Sequence, residues 1–169
     1  MQKTLVRVSL VLSIAFLALS IAVAAQGTQF ESQIQAMKWR NIGPFNGGRG
    51  TTVVGHPTDK NVFYFGHSSG GLWKTEDAGT YWIPVGEGQF NYASVGAMAL
   101  YEKNPDIMYV GLGEPQLRQS VSWGDGMYKT VDGGETWEHI GLEDSLHIAR
   151  VRIHPDNPDV VFVASMGHA

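Results

Sequence analysis

Two short stretches set an aspartate beside a hydroxyl, a pairing from which acid–base or nucleophilic chemistry is often built. They are Thr75-Glu76-Asp77-Ala78-Gly79-Thr80-Tyr81-Trp82 and, 55 residues later, Thr130-Val131-Asp132-Gly133-Gly134-Glu135-Thr136-Trp137, with Thr, Asp, Gly and Trp at the same spacing in each. The same residue types have a structural use. An Asp carboxylate in a hairpin accepts backbone N–H bonds, Gly79 or Gly134 supplies a positive φ, and Thr75 or Thr130 pins the turn through its hydroxyl. Trp82 and Trp137 each offer a large aromatic face for burial. The repetition favours the structural use, and we expect no catalytic residue in these two copies.

Other polar residues stand out by position. Gly111 to Thr130 is 19 positions, against nine from Gly66 to Thr75, and the longer segment holds Glu114, Arg118 and Trp123. Arg beside Trp offers an ion-pairing fork and an aromatic platform for a sugar or peptide. The plainer alternative packs Trp123 under its loop and pairs Arg118 with Glu114. Arg49 lies between Gly48 and Gly50, and His67, Ser68 and Ser69 occupy the shorter loop, with a small polar character that suits a binding-site mouth or a hydrogen-bonded turn. The six histidines show no metal spacing. HExxH, a carboxylate-dense loop, a phosphate-cradling Gly loop and a serine nucleophile elbow are all missing, so neither a metal nor a cofactor is expected.

These residues must be carried by strands. Each Thr-x-Asp-x-Gly copy follows a short apolar run ending in Lys (Gly71–Lys74, Gly126–Lys129) and precedes another beginning at Trp (Trp82–Gly86, Trp137–Gly141). Upstream lie Val62–Phe65, Ile107–Val110 and Val160–Val163, each after a turn rich in Pro, Asn and Asp: 56–61, 102–106 and 154–159. Such clusters between β-branched and aromatic runs punctuate hairpins. One more apolar strand precedes each turn, at Thr51–Val54, Val95–Leu100 and Ile148–Ile153. Four short strands recurring at about 40 to 50 residues form the blade of a β-propeller. A β-sandwich also uses short strands and regular turns, but it does not predict a repeated eight-residue hairpin. The expected fold is therefore all-β, a partial propeller of four-stranded antiparallel blades.

The chain has 169 residues, 43% hydrophobic and 11% aromatic, and a formal charge of −4. That composition suits a packed core and offers no basic footprint for a nucleic-acid backbone. Lys3 and Arg7 precede an apolar stretch from Val8 to Ala25, broken only by Ser9, Ser13 and Ser20 and ending in small residues. Residues 1–25 thus read as a secretory signal peptide, with an uncleaved anchor as the competing reading. With no cysteine in the chain, disulfides play no part. A periplasmic or secreted bacterial protein fits, with no membrane contact apart from the export signal.

The organisation that follows is a signal peptide at 1–25, a linker at 26–38 and an incomplete propeller at 39–169. Within the propeller, 39–43 is an orphan outer strand, 50–86 blade 1, 94–142 blade 2 and 147–169 part of blade 3. Trp39-Arg40-Asn41-Ile42-Gly43 repeats the form of the outer strands at Trp82 and Trp137, which suggests that it closes the ring on a later blade. Further C-terminal blades of the same protein are then a partner of this chain.

The paired hairpins resemble the Asp-box, or BNR repeat, and the chain from Trp39 onward resembles the sortilin N-terminal type of propeller, whose bacterial exported members are often named glycosyl hydrolases. The likeness extends through Gly111-Leu112-Gly113-Glu114 and Ser120–Lys129. It implies that the Asp-box turns lie on the rim and that the loops after the second strand of each blade lie on the ligand face. In related xyloglucanase-type propellers a catalytic Asp follows the second strand of the first blade; Ser68 stands at the matching position here and brings no carboxylate. The resemblance and the residues together lead us to expect a recognition scaffold for peptide, protein or glycan, with part of a polysaccharide-acting glycosyl hydrolase as the alternative.

Overall fold

A computed structural model describes residues 34, 35, 37, 49–116 and 118–167. The chain divides into two units, Met1–Ile42 and Gly43–Ala169. Of the first, Ile34 and Gln35 are helical, and the Met37 N–H donates to the Ile34 carbonyl at 3.0 Å. The leader 1–25 and the orphan strand 39–43 lie outside the described residues. No helix among the described residues is long and apolar enough to cross a membrane.

The described residues of the second unit form ten strands. β1 (Gly50–Gly55), β2 (Phe63–His67), β3 (Leu72–Thr75) and β4 (Ile83–Val85) form one antiparallel sheet in sequence order. β5 (Val95–Leu100), β6 (Met108–Leu112), β7 (Met127–Thr130) and β8 (Glu138–Gly141) form a second sheet of the same order, and β9 (Ile148–His154) pairs with β10 (Asn157–Ser165). These are two blades and the first hairpin of a third, the partial propeller that the repeats predict.

Period-2 geometry explains how one blade serves two neighbours. Alternate side chains of a strand point to opposite faces. In β5, Met98 and Leu100 join the core against blade 1, while Ala97 and Ala99 join the core against blade 3. In β6, Met108, Val110 and Leu112 face the first core and Tyr109 the second. A sheet covered on both faces reads as a continuous apolar run, and all six residues of β5 are buried.

Glycines set the spacing between blades. A Cβ on Gly66 would come within 2.6 Å of Val95, and one on Gly111 within 2.3 Å of Ile148, so each second strand meets the next inner strand where no side chain intervenes. Tyrosines add a repeated polar link. Tyr64 donates to the Gly133 carbonyl of the next blade at 3.0 Å, and its counterpart Tyr109 donates to the Pro158 carbonyl at 2.9 Å.

The two Thr-x-Asp-x-Gly hairpins close β3–β4 and β7–β8. Thr75, fully buried, donates to Asp77 at 2.9 Å and accepts the Gly79 N–H at 2.9 Å; Thr130 donates to Asp132 at 2.6 Å and accepts the Gly134 N–H at 3.1 Å. Each Asp then accepts the backbone N–H four residues on, from Tyr81 at 2.8 Å and Thr136 at 2.9 Å. Gly79 and Gly134 have φ of 93° and 96°, and each Trp indole donates to the carbonyl of its glycine, at 3.0 Å for Trp82 and 3.2 Å for Trp137. The preceding residue is left-handed too, Ala78 at 59° and Gly133 at 70°. Both carboxylates have lowered pKa values. Asp77 is held down first by the Tyr81 N–H and then by the Thr75 hydroxyl, and Asp132 first by the Thr130 hydroxyl and then by that of Thr136.

Two local differences from the sequence reading concern strand ends. The outer strands begin one residue after each Trp, because Trp82 and Trp137 turn back onto their own hairpins. The turn expected over 154–159 is tighter: β10 already begins at Asn157, with a register irregularity between Asn157 and Val161 that takes up the Pro158 segment.

Candidate functional site

The residue just before each inner strand occupies an equivalent place. The N–H following the second strand donates to its carbonyl in all three blades: Ser68 to Arg49 at 2.9 Å, Gly113 to Ser94 at 2.8 Å and Met166 to His147 at 2.9 Å. At this end of the blades lie the loops β2–β3, β4–β5, β6–β7 and β8–β9.

The long β6–β7 loop is tied at both ends. The Glu114 N–H donates to the Ser122 carbonyl at 2.9 Å and the Gly124 N–H to the Leu146 carbonyl at 3.0 Å. Gly113, at φ 91°, is required here, since a Cβ would stand 1.8 Å from the Leu146 oxygen. Asp125 is held by Asn91 Nδ2 at 2.7 Å and the Tyr128 hydroxyl at 3.0 Å. Between these ties the tip, Gln116 and 118–120, is exposed.

Glu114 is the electrostatic centre of this face. Its side chain is 1% exposed, and Arg49 of blade 1 grips it in a two-pronged pair, Nε at 2.9 Å and Nη2 at 2.6 Å. Arg118 adds a looser approach, Nε to Oε1 at 3.7 Å, and the Ser122 N–H lies 3.4 Å from Oε2. These bonds, Arg49's first, hold the Glu114 carboxyl below the usual carboxylate range, and the same pair raises Arg49. A carboxylate so engaged stays ionised and does not deliver a proton at neutral pH. Its use is to fix two guanidinium groups.

Beside this cluster is a cavity of about 260 Å³ lined by Ser68, Ser69, Tyr92, Ala93, Ser94, Val121, Ser122 and Trp123. Tyr92 is 45% exposed and Trp123 56% exposed, so neither ring is spent on the core. Ser94 donates to the Ser122 carbonyl at 3.1 Å, joining two walls, while the buried Ser68 hydroxyl has no hydrogen-bond partner among the described residues. His67, also buried, stacks edge-on with Phe65 at 4.4 Å, beside a separate 130 Å³ hollow lined by Phe65, His67, Trp73 and Trp82.

The structure thus divides the candidate residues. Arg49, Glu114 and Arg118 meet in one charged cluster. Ser68 and Trp123 meet in the adjoining cavity, and His67 lies outside both. Trp123 does not pack under its loop, whereas Arg118 does approach Glu114. The eight hairpin residues, Thr75, Asp77, Gly79 and Trp82 with Thr130, Asp132, Gly134 and Trp137, stay at the β3–β4 and β7–β8 turns and contribute to neither cluster nor cavity, apart from Trp82 in the smaller hollow. Sequence reasoning missed Tyr92, Ser94 and Ser122. Setting the residues before the inner strands in register, Arg49 with Ser94 and His147, would have brought out the Tyr92–Ser94 segment. Among the described residues no group of three or more metal-ligating side chains gathers.

No protein-family model matches the chain, and no curated protein matches it. Solved structures do. A GH74 enzyme described as ancestral superposes with a TM-score of 0.53 at 16% identity, over 68% of this chain and 16% of that one. A GH74 enzyme of Niastella koreensis gives 0.53 at 19% identity, over 67% of this chain and 16% of its own. GH74 enzymes are β-propeller glycoside hydrolases. The chain spans about a sixth of the length of these structures. At such identities the likeness establishes the fold alone, that of part of a β-propeller.

Proposed function

We propose that the chain is part of an exported, carbohydrate-active propeller of glycoside-hydrolase type, and that these blades bind the polysaccharide. The observation that carries the reading is the cavity between blades 1 and 2, where Tyr92 and Trp123 stand exposed among small hydroxyl side chains. A sugar ring has an apolar face for an aromatic platform and an edge of hydroxyls for the exposed Ser69. The propeller likeness to GH74 enzymes supports the same ligand class. The sortilin-like and Asp-box resemblance agrees with it, and the apolar leader supports export. Among the described residues, Glu114 is locked to arginine and the paired Asp residues hold their own turns. None of these three carboxylates is therefore assigned to a hydrolytic step.

The test is an equilibrium titration of the full chain with a panel of soluble oligosaccharides, repeated with Trp123→Ala. Aromatic side chains of this kind carry about 150–250 Å² of surface, so an exposed face leaves roughly 50 Å² for a sugar to cover. At about 25 cal/mol per Å² that is on the order of 1 kcal/mol, or several-fold to ten-fold in affinity. Binding that Trp123→Ala weakens by this factor while the melting temperature holds supports the reading. A full chain that binds no member of the panel refutes it.

A further inference from the structure

Two arginines from different blades converge on one buried carboxylate, and the charges do not balance. Glu114 is 1% exposed at its side chain, whereas Arg49 is 42% and Arg118 36% exposed. The single negative charge is therefore held within the protein while two positive groups reach solvent. Arg49 spends Nε and Nη2 on Glu114, with Nη2 also 3.4 Å from the Ser120 carbonyl. Its Nη1 and the terminal nitrogens of Arg118 make no hydrogen bond among the described residues. A surplus positive charge thus stands on one face of a chain whose formal charge is −4.

The cluster and the aromatic cavity share their walls. Ser68, which lines the cavity, donates its N–H to the Arg49 carbonyl at 2.9 Å. Ser122, on the opposite wall, has its N–H 3.4 Å from Glu114 Oε2. The Ser68 hydroxyl is buried there without a partner among the described residues, and the neighbouring Ser69 on the same wall is exposed.

We infer that the Arg49–Arg118 pair is an anion subsite and that the ligand is an acidic polysaccharide built from uronic acid residues. The inference rests on the carbohydrate reading above and adds the substrate class. A guanidinium fork matches a carboxylate in geometry and stays charged at every accessible pH. Glu114 orients the Arg49 fork in advance, so less side-chain freedom is lost on binding. A ring on Tyr92 or Trp123 can direct its carboxylate to the guanidinium groups, and among the described residues neither arginine pairs with a carboxylate other than Glu114.

The experiment compares short uronate oligosaccharides (galacturonate, glucuronate, mannuronate) with their methyl esters by calorimetric titration of the full chain. Acid and ester share the ring and differ in the charge. For at least one acid the expected result is tighter binding than its ester by roughly ten- to a hundred-fold, the contribution of a charge-assisted hydrogen bond. That ratio shrinks as salt rises. In Arg118→Gln, whose folding is checked by thermal melting, the ratio falls toward one; a merely structural role for Arg118 would weaken acid and ester alike. Salt dependence in the unaltered chain provides a second readout should the variant fold poorly. Ester binding equal to acid binding overturns the anion subsite while leaving the carbohydrate reading intact. A sulfated, uronate-free oligosaccharide or a peptide carboxylate binding more tightly than every uronate overturns the assignment of substrate. Failure of acids, esters and neutral glucans alike overturns both readings.

Discussion

Replacing Glu114 by Gln separates the charge of this residue from its shape. The carboxylate accepts two guanidinium N–H bonds, at 2.9 and 2.6 Å, from a position 1% exposed. Hydrogen bonds to charged groups contribute about 1.5–3 kcal/mol, against about 1 kcal/mol for neutral ones. In the Gln variant one oxygen still accepts, while the amide nitrogen meets a second donor, so one bond weakens and one is lost. Removing a buried charge recovers part of its desolvation cost. The net loss is about 2 kcal/mol, or on the order of 5 °C in Tm for a domain of this size.

The pH dependence gives the sharper check. Arg49 lowers the Glu114 pKa, so this contribution is complete above the unfolded-state value of about 4.3 and is lost as pH falls toward the lower folded value. Thermal melts of the full chain and variant should differ near neutral pH and converge in acid. Equal melts at neutral pH, or a difference unchanged in acid, would refute the reasoning.

Other predictions concern the frame that holds this face. Gly111→Ala places a Cβ 2.3 Å from Ile148 and should cost about 1–3 kcal/mol in denaturant unfolding. Thr130→Val leaves the Gly134 N–H without its acceptor and should cost about 1–3 kcal/mol by the same measurement. Ala78→Gly relieves a left-handed residue at φ 59° where the other hairpin already has Gly133; it should stabilise by about 0.5 kcal/mol after the greater unfolded-state freedom of glycine is subtracted.

The blades were legible because their signals are local and occur twice. A Thr-x-Asp-x-Gly hairpin closes on itself through bonds spanning four residues, and β5 is apolar throughout because both its faces are covered. The candidate site was legible only in part. The i,i+4 approach of Arg118 to Glu114 is a neighbour relation that a sequence displays. The stronger partner, Arg49, lies 65 residues away, and the contact depends on how far blade 1 is packed from blade 2. That distance is set by Gly66, where the absence of a side chain is the signal. Tyr92 was missed for a related reason: it sits in the β4–β5 connection and gains its role from Trp123, which reaches the same cavity from another loop. Ala78 also shows the limit of the repeat. Its left-handed backbone is dictated by the turn, but its identity does not announce it.

The account stands on the cavity between the first two blades being where a glycan rests. A crystal structure of the full chain soaked with the tightest-binding oligosaccharide examines that directly. The expected density is a sugar ring against Trp123 or Tyr92, with a hydroxyl within hydrogen-bond distance of Ser69. A well-ordered oligosaccharide bound elsewhere, with this cavity holding only solvent, would contradict it.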